Sequence, residues 1–110
     1  MILEKHIQKS ILGYLELLNI FHYKNNTAGI YKQATGSYIP SQSVGAPDII
    51  CVIKGRYIGI EVKAANGVQS EHQKEFQKRL QHAGGIYILA YSLDDVIPRI
   101  EALRKFALAP

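Results

Sequence analysis

Apolar residues at spacings of three and four open the chain. Leu3, Ile7, Ile11, Tyr14, Leu15 and Leu18 fall on one stripe, the mark of an amphipathic helix from about Leu3 to Leu18. Glu4 and Gln8 lie beside that stripe one turn apart, while Lys5 and Lys9 point away from it. Phe21 to Lys24 has the composition of a short strand. From Asn25 to Val44 the periodicity fades into Asn, Thr, Gly, Ser, Gln and Pro. That stretch reads as a long loop or an irregular hairpin, and loops of such length in compact domains are usually functional. Two β-branched runs follow, Asp48 to Ile53 and Tyr57 to Lys63, on either side of a Lys-Gly-Arg turn. This is a β-hairpin signal. Strand alternation sends Ile58, Ile60 and Val62 to the core and puts Glu61 and Lys63 on the other face, roughly 6.5–7 Å apart along the chain.

In the second half, Ser70-Glu71-His72-Gln73 fits a capping box with Ser70 at the N-cap and Gln73 at N3. The helix it opens is expected to bury Phe76, Leu80 and Ala83, and Gly84-Gly85 ends it. Ile86 to Tyr91 reads as a short apolar strand. Ser92-Leu93-Asp94-Asp95 repeats the capping signal ahead of a last helix that runs to about Lys105. Pro98 lies too deep in that helix, so it bends the helix or moves its start. The order α-β-β-β-α-β plus a C-terminal helix predicts an α/β, three-layer core: a small mixed sheet flanked by helices. The segment between Gly67 and Gly84 is expected to make a right-handed crossover to a parallel strand.

Length and composition narrow the class. The 110 residues, 47% apolar, make a single folded domain spanning 1–110. The lone cysteine, Cys51, sits within an apolar strand run and reads as a small buried hydrophobe in a reducing, cytoplasmic setting. No run approaches the ~18–20 apolar residues of a membrane span, and Glu4 and Lys5 stand where a signal peptide is apolar. A membrane partner is therefore not expected. The net charge of +4, from thirteen basic and nine acidic residues, is a mild bias compatible with nucleic acid.

Three charges sit inside the otherwise apolar hairpin: Asp48, Glu61 and Lys63. A turn at Lys54-Gly55 sets Asp48 opposite Glu61. A turn at Gly55-Arg56 sets it opposite Lys63. Either way, two carboxylates and an ammonium converge at one strand end. Two carboxylates offer the hard oxygen ligands that Mg²⁺ or Mn²⁺ prefers. Such a metal lowers the pKa of a bound water, and the lysine orients that water or stabilises charge building on a phosphate. The alternative is a cross-strand salt bridge on a solvated face, contributing at most about 1 kcal/mol.

Gly45-Ala46-Pro47-Asp48, with Glu61-Val62-Lys63 twelve residues on, resembles the Pro-Asp…(Asp/Glu)-x-Lys motif of restriction-endonuclease-like nucleases. With Glu4 on the first helix and Ser70-x-x-Gln73 opening the next, the chain resembles the virus-type replication-repair nuclease (VRR-NUC) domain of the stand-alone phage and bacterial type. The likeness spans nearly the whole chain and is specific in the order of its four parts. It implies metal-dependent phosphodiester hydrolysis of DNA, with Asp48 and Glu61 as metal carboxylates and Lys63 as the catalytic lysine. It further implies that Val62 lends its backbone carbonyl to the metal, that Glu4 assists metal binding, and that Gln73 joins the catalytic set. Stand-alone members resemble Holliday-junction resolvases acting as homodimers, and fused versions cut flaps and other structures.

A dimer also follows from geometry, because cutting two opposed strands of a four-way junction needs two sites related by a two-fold axis. Lys24 and Lys32, with Tyr31 and Tyr38 nearby, are candidate DNA contacts, the lysines for phosphates and the tyrosines for bases. Lys74, Lys78 and Arg79 on the outer face of the second helix are a solvated face that can also track phosphates. The four histidines make no ligand pattern.

Overall fold

A computed structural model of the chain describes residues 2–25, 30–32, 37–39 and 44–106, with only the backbone given for 30–32 and 37–39. The elements run α1 (Glu4–Leu17), β1 (Phe21–Lys24), β2 (Ile30–Lys32), β3 (Ser37–Ile39), β4 (Ile49–Ile53), β5 (Arg56–Val62), α2 (Glu71–His82) and β6 (Ile86–Ala90). A 3₁₀ turn (Leu93–Asp95) then leads into α3 (Ile97–Lys105). The main sheet has the order β1-β4-β5-β6. Its first two pairings are antiparallel and β5 runs parallel to β6. Strands β2 and β3 form a separate antiparallel pair within the stretch that the sequence left between loop and hairpin.

The sheet's two faces are covered differently. On one face Ile49, Cys51, Ile53, Ile58, Ile60, Val62, Ile88 and Ala90 meet Ile7, Ile11 and Leu15 of α1 and Ile100 of α3 in a single buried cluster. Cys51 is fully buried, as its apolar setting implied, and desolvation pushes its thiol up to about 12. Helix α2 covers the other face, and none of its residues is fully buried. The expected stripe is therefore shallower than its spacing suggested: Phe76 and Leu80 are half-buried and Ala83 is exposed. Ala83 is already the C-cap, one residue past the end of the helix.

Helix ends follow local chemistry. Asn19, at a φ of 59°, closes α1 with Ile20 N–H donating to Leu15 O and Asn19 N–H to Glu16 O. Gly84, at a φ of 91°, closes α2 in the same manner, through Gly85 N–H to Leu80 O and Gly84 N–H to Gln81 O. Both are six-to-one, five-to-two closures that need a left-handed residue after the cap. Pro98 falls in the first turn of α3, so it moved the helix start instead of bending the helix. The second capping signal fails as written: Ser92 makes no side-chain cap, and Asp95 Oδ2 instead accepts from Tyr91 N–H at 2.8 Å.

Candidate active site

The hairpin register decides which charges meet. Ile53 pairs with Arg56, so Lys54 and Gly55 are the turn, at φ of 53° and 79°. Positive φ at both central residues is the requirement of a type I′ turn, whose twist matches that of the strands. Counting back from Ile49↔Ile60 sets Asp48 opposite Glu61. Asp48 Oδ2 accepts from Val62 N–H at 2.8 Å, which ties the start of β4 to the end of β5 through the carboxylate itself.

Three residues hold the segment that leads into Asp48. Asn25 N–H donates to Asp48 O at 2.8 Å and Asn25 Nδ2 to Pro47 O at 3.3 Å. Gly45, at a φ of 85°, passes so close to α2 that a Cβ there would run into the backbone of His72. Gly59, on the face of Glu61, leaves a slot for the Pro47 ring, since its own Cβ would lie 2.5 Å from Pro47 Cγ. Asn25, Gly45 and Gly59 are positioning residues that sequence patterns did not single out. A lone glycine inside a strand run was the available signal, since it marks close backbone approach.

Glu61 is 2% exposed, the one buried charged residue among those described. Its Oε1 has no hydrogen-bond partner among the described residues. Burial pushes its carboxyl up to about 9, reinforced by a side-chain hydrogen bond with Asp48, by the charge of Asp48 and more weakly by that of Glu4, while Lys63 pulls the other way. Lys63 is half-buried, its stem lying against Gly67. The three ion pairs among the described residues are His22–Glu16, Lys74–Glu71 and Arg104–Glu101. None uses Asp48, Glu61 or Lys63. A solvated cross-strand salt bridge is therefore not what these charges make.

The remaining expected residues are arranged as follows. Glu4 is exposed in the first turn of α1, close enough for its charge to act on Glu61. No three His, Cys, Asp or Glu side chains group as a metal cluster among the described residues, so Glu4 stands outside the Asp48–Glu61 pair. Gln73 closes the capping box: Ser70 Oγ accepts from Gln73 N–H at 3.1 Å and Gln73 Oε1 accepts from Ser70 N–H at 2.9 Å. Its carbonyl oxygen is thus engaged in capping the start of the helix. Lys24 is exposed at the end of β1. Lys32 lies on β2, with its side chain outside the described residues, as are those of Tyr31 and Tyr38. Lys74 is exposed and pairs with Glu71 at 3.3 Å. Behind Glu61 on the same face, Gln69 Nε2 donates to Tyr87 Oη at 3.1 Å and to Gln77 Oε1 at 2.8 Å, a polar set that the sequence reading passed over.

The donor chemistry fits a hard divalent cation. A buried carboxylate with an orphaned oxygen, facing a second carboxylate across one strand pair, is costly unless something positive neutralises it. A mixed sheet with helices on both faces, carrying Asp48 and Glu61-Val62-Lys63 at adjoining strand ends, is a restriction-endonuclease-like architecture. The fold is that of the VRR-NUC domain: a solved structure described as a VRR_NUC domain protein is similar over 96% of this chain and 90% of its own, with a TM-score of 0.71. The two chains are 22% identical, so the likeness establishes the fold. No family model matches the sequence, and no curated protein does.

Proposed function

We propose that this chain is a divalent-metal-dependent endonuclease of the VRR-NUC type that hydrolyses phosphodiester bonds in branched DNA, with the four-way junction as its first substrate. The observation that carries this reading is Glu61: a fully buried carboxyl with an orphaned oxygen, set opposite Asp48 and beside Lys63. Asp48 and Glu61 would hold Mg²⁺ or Mn²⁺, with the Val62 carbonyl beside them. The bound cation supplies an acidified water and neutralises charge on the phosphate. Lys63, whose charge already acts on Glu61, would orient the attacking water and steady negative charge building on the phosphoryl oxygens. Glu4 borders that space and supports a cation through its charge. Gln73, whose amide nitrogen is left over from the capping box, sits at the start of the helix that Gly45 touches and belongs to the rim of the same site.

Charge distribution supports a polyanionic substrate. Setting aside the site residues Glu4, Asp48, Glu61 and Lys63 leaves six acids against twelve bases elsewhere. Lys24, Lys32 and Lys74 are the proposed phosphate contacts. Symmetric cutting of a junction calls for two copies of this single site, hence a homodimer. The buried free thiol of Cys51 suits a reducing cytoplasm, and no helix among the described residues is long and apolar enough to cross a membrane.

The test is cleavage of labelled four-way junction, flap, duplex and single strand with Mg²⁺ or Mn²⁺. Paired symmetric nicks in the junction, lost in Asp48→Asn and Lys63→Ala, are expected. Asp48→Asn keeps an oxygen that can accept from Val62 N–H, so it separates the charge from the strand tie. Cutting of flaps or duplex alone removes the junction assignment. Binding with no cutting at any concentration of either metal removes the nuclease.

A further inference from the structure

A cleft of about 330 Å³ opens past the end of β5, where Lys63 N–H donates to Ala90 O at 3.0 Å next to Tyr91. Its walls are Ile2, Ile7, Ala64, Ala65, Asn66 and Tyr91. Both sides are continuous with the site: Ala64 follows Lys63, and Ile2 precedes Glu4 by two residues. The surface is apolar apart from the Asn66 amide and the Tyr91 hydroxyl. Ile2 and Tyr91 are 67% and 39% exposed, so the core does not account for them. The cleft is also held open in advance. Tyr91 Oη donates to Gly67 O at 2.9 Å while Tyr91 N–H donates to Asp95 Oδ2 at 2.8 Å, which fixes the residue at both ends. The facing turn is closed by Gly67 N–H to Ala64 O at 2.9 Å, with Asn66 at a φ of 66°.

We propose that this cleft receives the unstacked nucleobase next to the scissile phosphate, stacked against the Tyr91 ring, and that this base selects branched over continuous DNA. The proposal rests on the nuclease reading above and names the feature of the substrate that the site reads. A cluster built for one phosphate has only sugars and bases as its immediate neighbours on the substrate. Of these, the base alone carries a broad apolar face. Tyrosine rings hold such faces in a sequence-tolerant way. Asn66 brings one acceptor and two donors, which serve the polar edge of any base. Drawing a base out of a duplex costs a few kcal/mol, whereas a base at a branch is already partly free. The same contact is therefore worth more on a junction than on an unbroken helix.

The full chain is tested for binding without divalent metal and for cleavage with it. The substrates are a four-way junction and a matched duplex, each with normal or abasic nucleotides at successive positions around the branch or its equivalent. Tyr91→Ala is expected to weaken junction binding about tenfold while changing duplex binding little. Tyr91→Phe, which keeps the ring, is expected to retain binding. One abasic position should cost the wild type the same factor and cost Tyr91→Ala nothing further. Ile2→Ser, at an exposed position that the fold does not need, tests the same cleft if Tyr91→Ala fails to fold. The proposal is overturned if the wild type tolerates an abasic nucleotide at every branch position, or if Tyr91→Ala weakens junction and duplex equally. A junction that is bound with abasic sensitivity but never cut keeps the cleft and removes the nuclease, so the two failures are separable.

Discussion

The two faces of strand β5 make opposite bargains with the solvent. Ile58, Ile60 and Val62 look toward α1 and α3, into a cluster closed enough that all three are fully buried. Tyr57, Gly59, Glu61 and Lys63 look toward α2, a helix with no fully buried residue of its own. The first face has nothing left to bind. Among the described residues, the second holds a missing side chain at Gly59, an orphaned oxygen on Glu61 and a lysine with no acid within ion-pairing distance. One strand thus anchors the domain with its even-numbered residues and carries chemistry with its odd ones. The tightly packed face makes the loosely covered one tolerable.

The contrast is open to attack by substitution, beginning with packing. Ile60→Ala is expected to cost about 2–5 kcal/mol, the range for a large aliphatic side chain deleted from a closed core. Leu80→Ala on half-buried α2 should cost about half as much in denaturant melts, and equal losses would erase the distinction. Gly59→Ala comes next, because its new methyl meets the Pro47 ring. It is expected to lose about 1–3 kcal/mol and, by displacing Asp48, to slow cleavage about 100-fold. Gly13→Ala serves as its opposite. Gly13 lies in α1 with nothing within 4 Å of a new Cβ, so alanine should stabilise the domain by about 0.5–1 kcal/mol.

Glu61 predicts a dependence on pH. Its folded pKa is raised, to about 9 from 4.5, so the folded state binds the proton more tightly than the unfolded chain does. Stability from this group is therefore complete below pH 4.5 and is lost progressively as pH rises through 9. Metal-free protein should melt at lower temperature at pH 8 than at pH 6, and Glu61→Gln should flatten that slope and raise the pH 8 midpoint by about 4 °C or more. Metal binding near neutral pH should release a proton, visible as a buffer-dependent heat in calorimetry. A midpoint that rises from pH 6 to pH 8 would contradict a neutral, buried Glu61. The smallest expected effect belongs to the caps. Ser70→Ala should cost about 1 kcal/mol, whereas Ser92→Ala, which breaks no cap bond, should stay within about 0.5 kcal/mol.

Most of the architecture was legible in the pattern of apolar residues. The α1 stripe, the β4–β5 hairpin, the Ser70 capping box and the stop at Gly84 all depend on contacts within a few residues, which spacing reports directly. What escaped depends on distant partners. Alternation put Glu61 on the second face, but its 2% exposure there depends on segments that fold over it from elsewhere in the chain. The choice between two turn registers hung on whether Lys54 accepts a left-handed φ, which no side-chain pattern records. Ala83 kept its helical spacing but falls at the C-cap, past the last helical residue. Ser92 lost its capping role because the Asp95 N–H donates to the Ser92 carbonyl, while the Asp95 carboxylate takes Tyr91 N–H. Asn25 was invisible because its use is to hold Pro47 and Asp48, more than twenty residues away.

The two-residue turn at Lys54-Gly55 also works as a ruler. From it, each step back along β4 is matched by one step forward along β5, until Asp48 and Glu61 arrive opposite each other. There is no slack in that count. One residue added to a single arm would pair Asp48 with a neighbour pointing through the sheet, and the carboxylates would part although every apolar residue could still find cover. Lineages of this sequence can therefore lengthen or shorten the hairpin only by matched changes in both arms. The turn lies six residues from Asp48 and six from Glu61, outside the site in sequence and in chemistry, yet its length is inherited together with it.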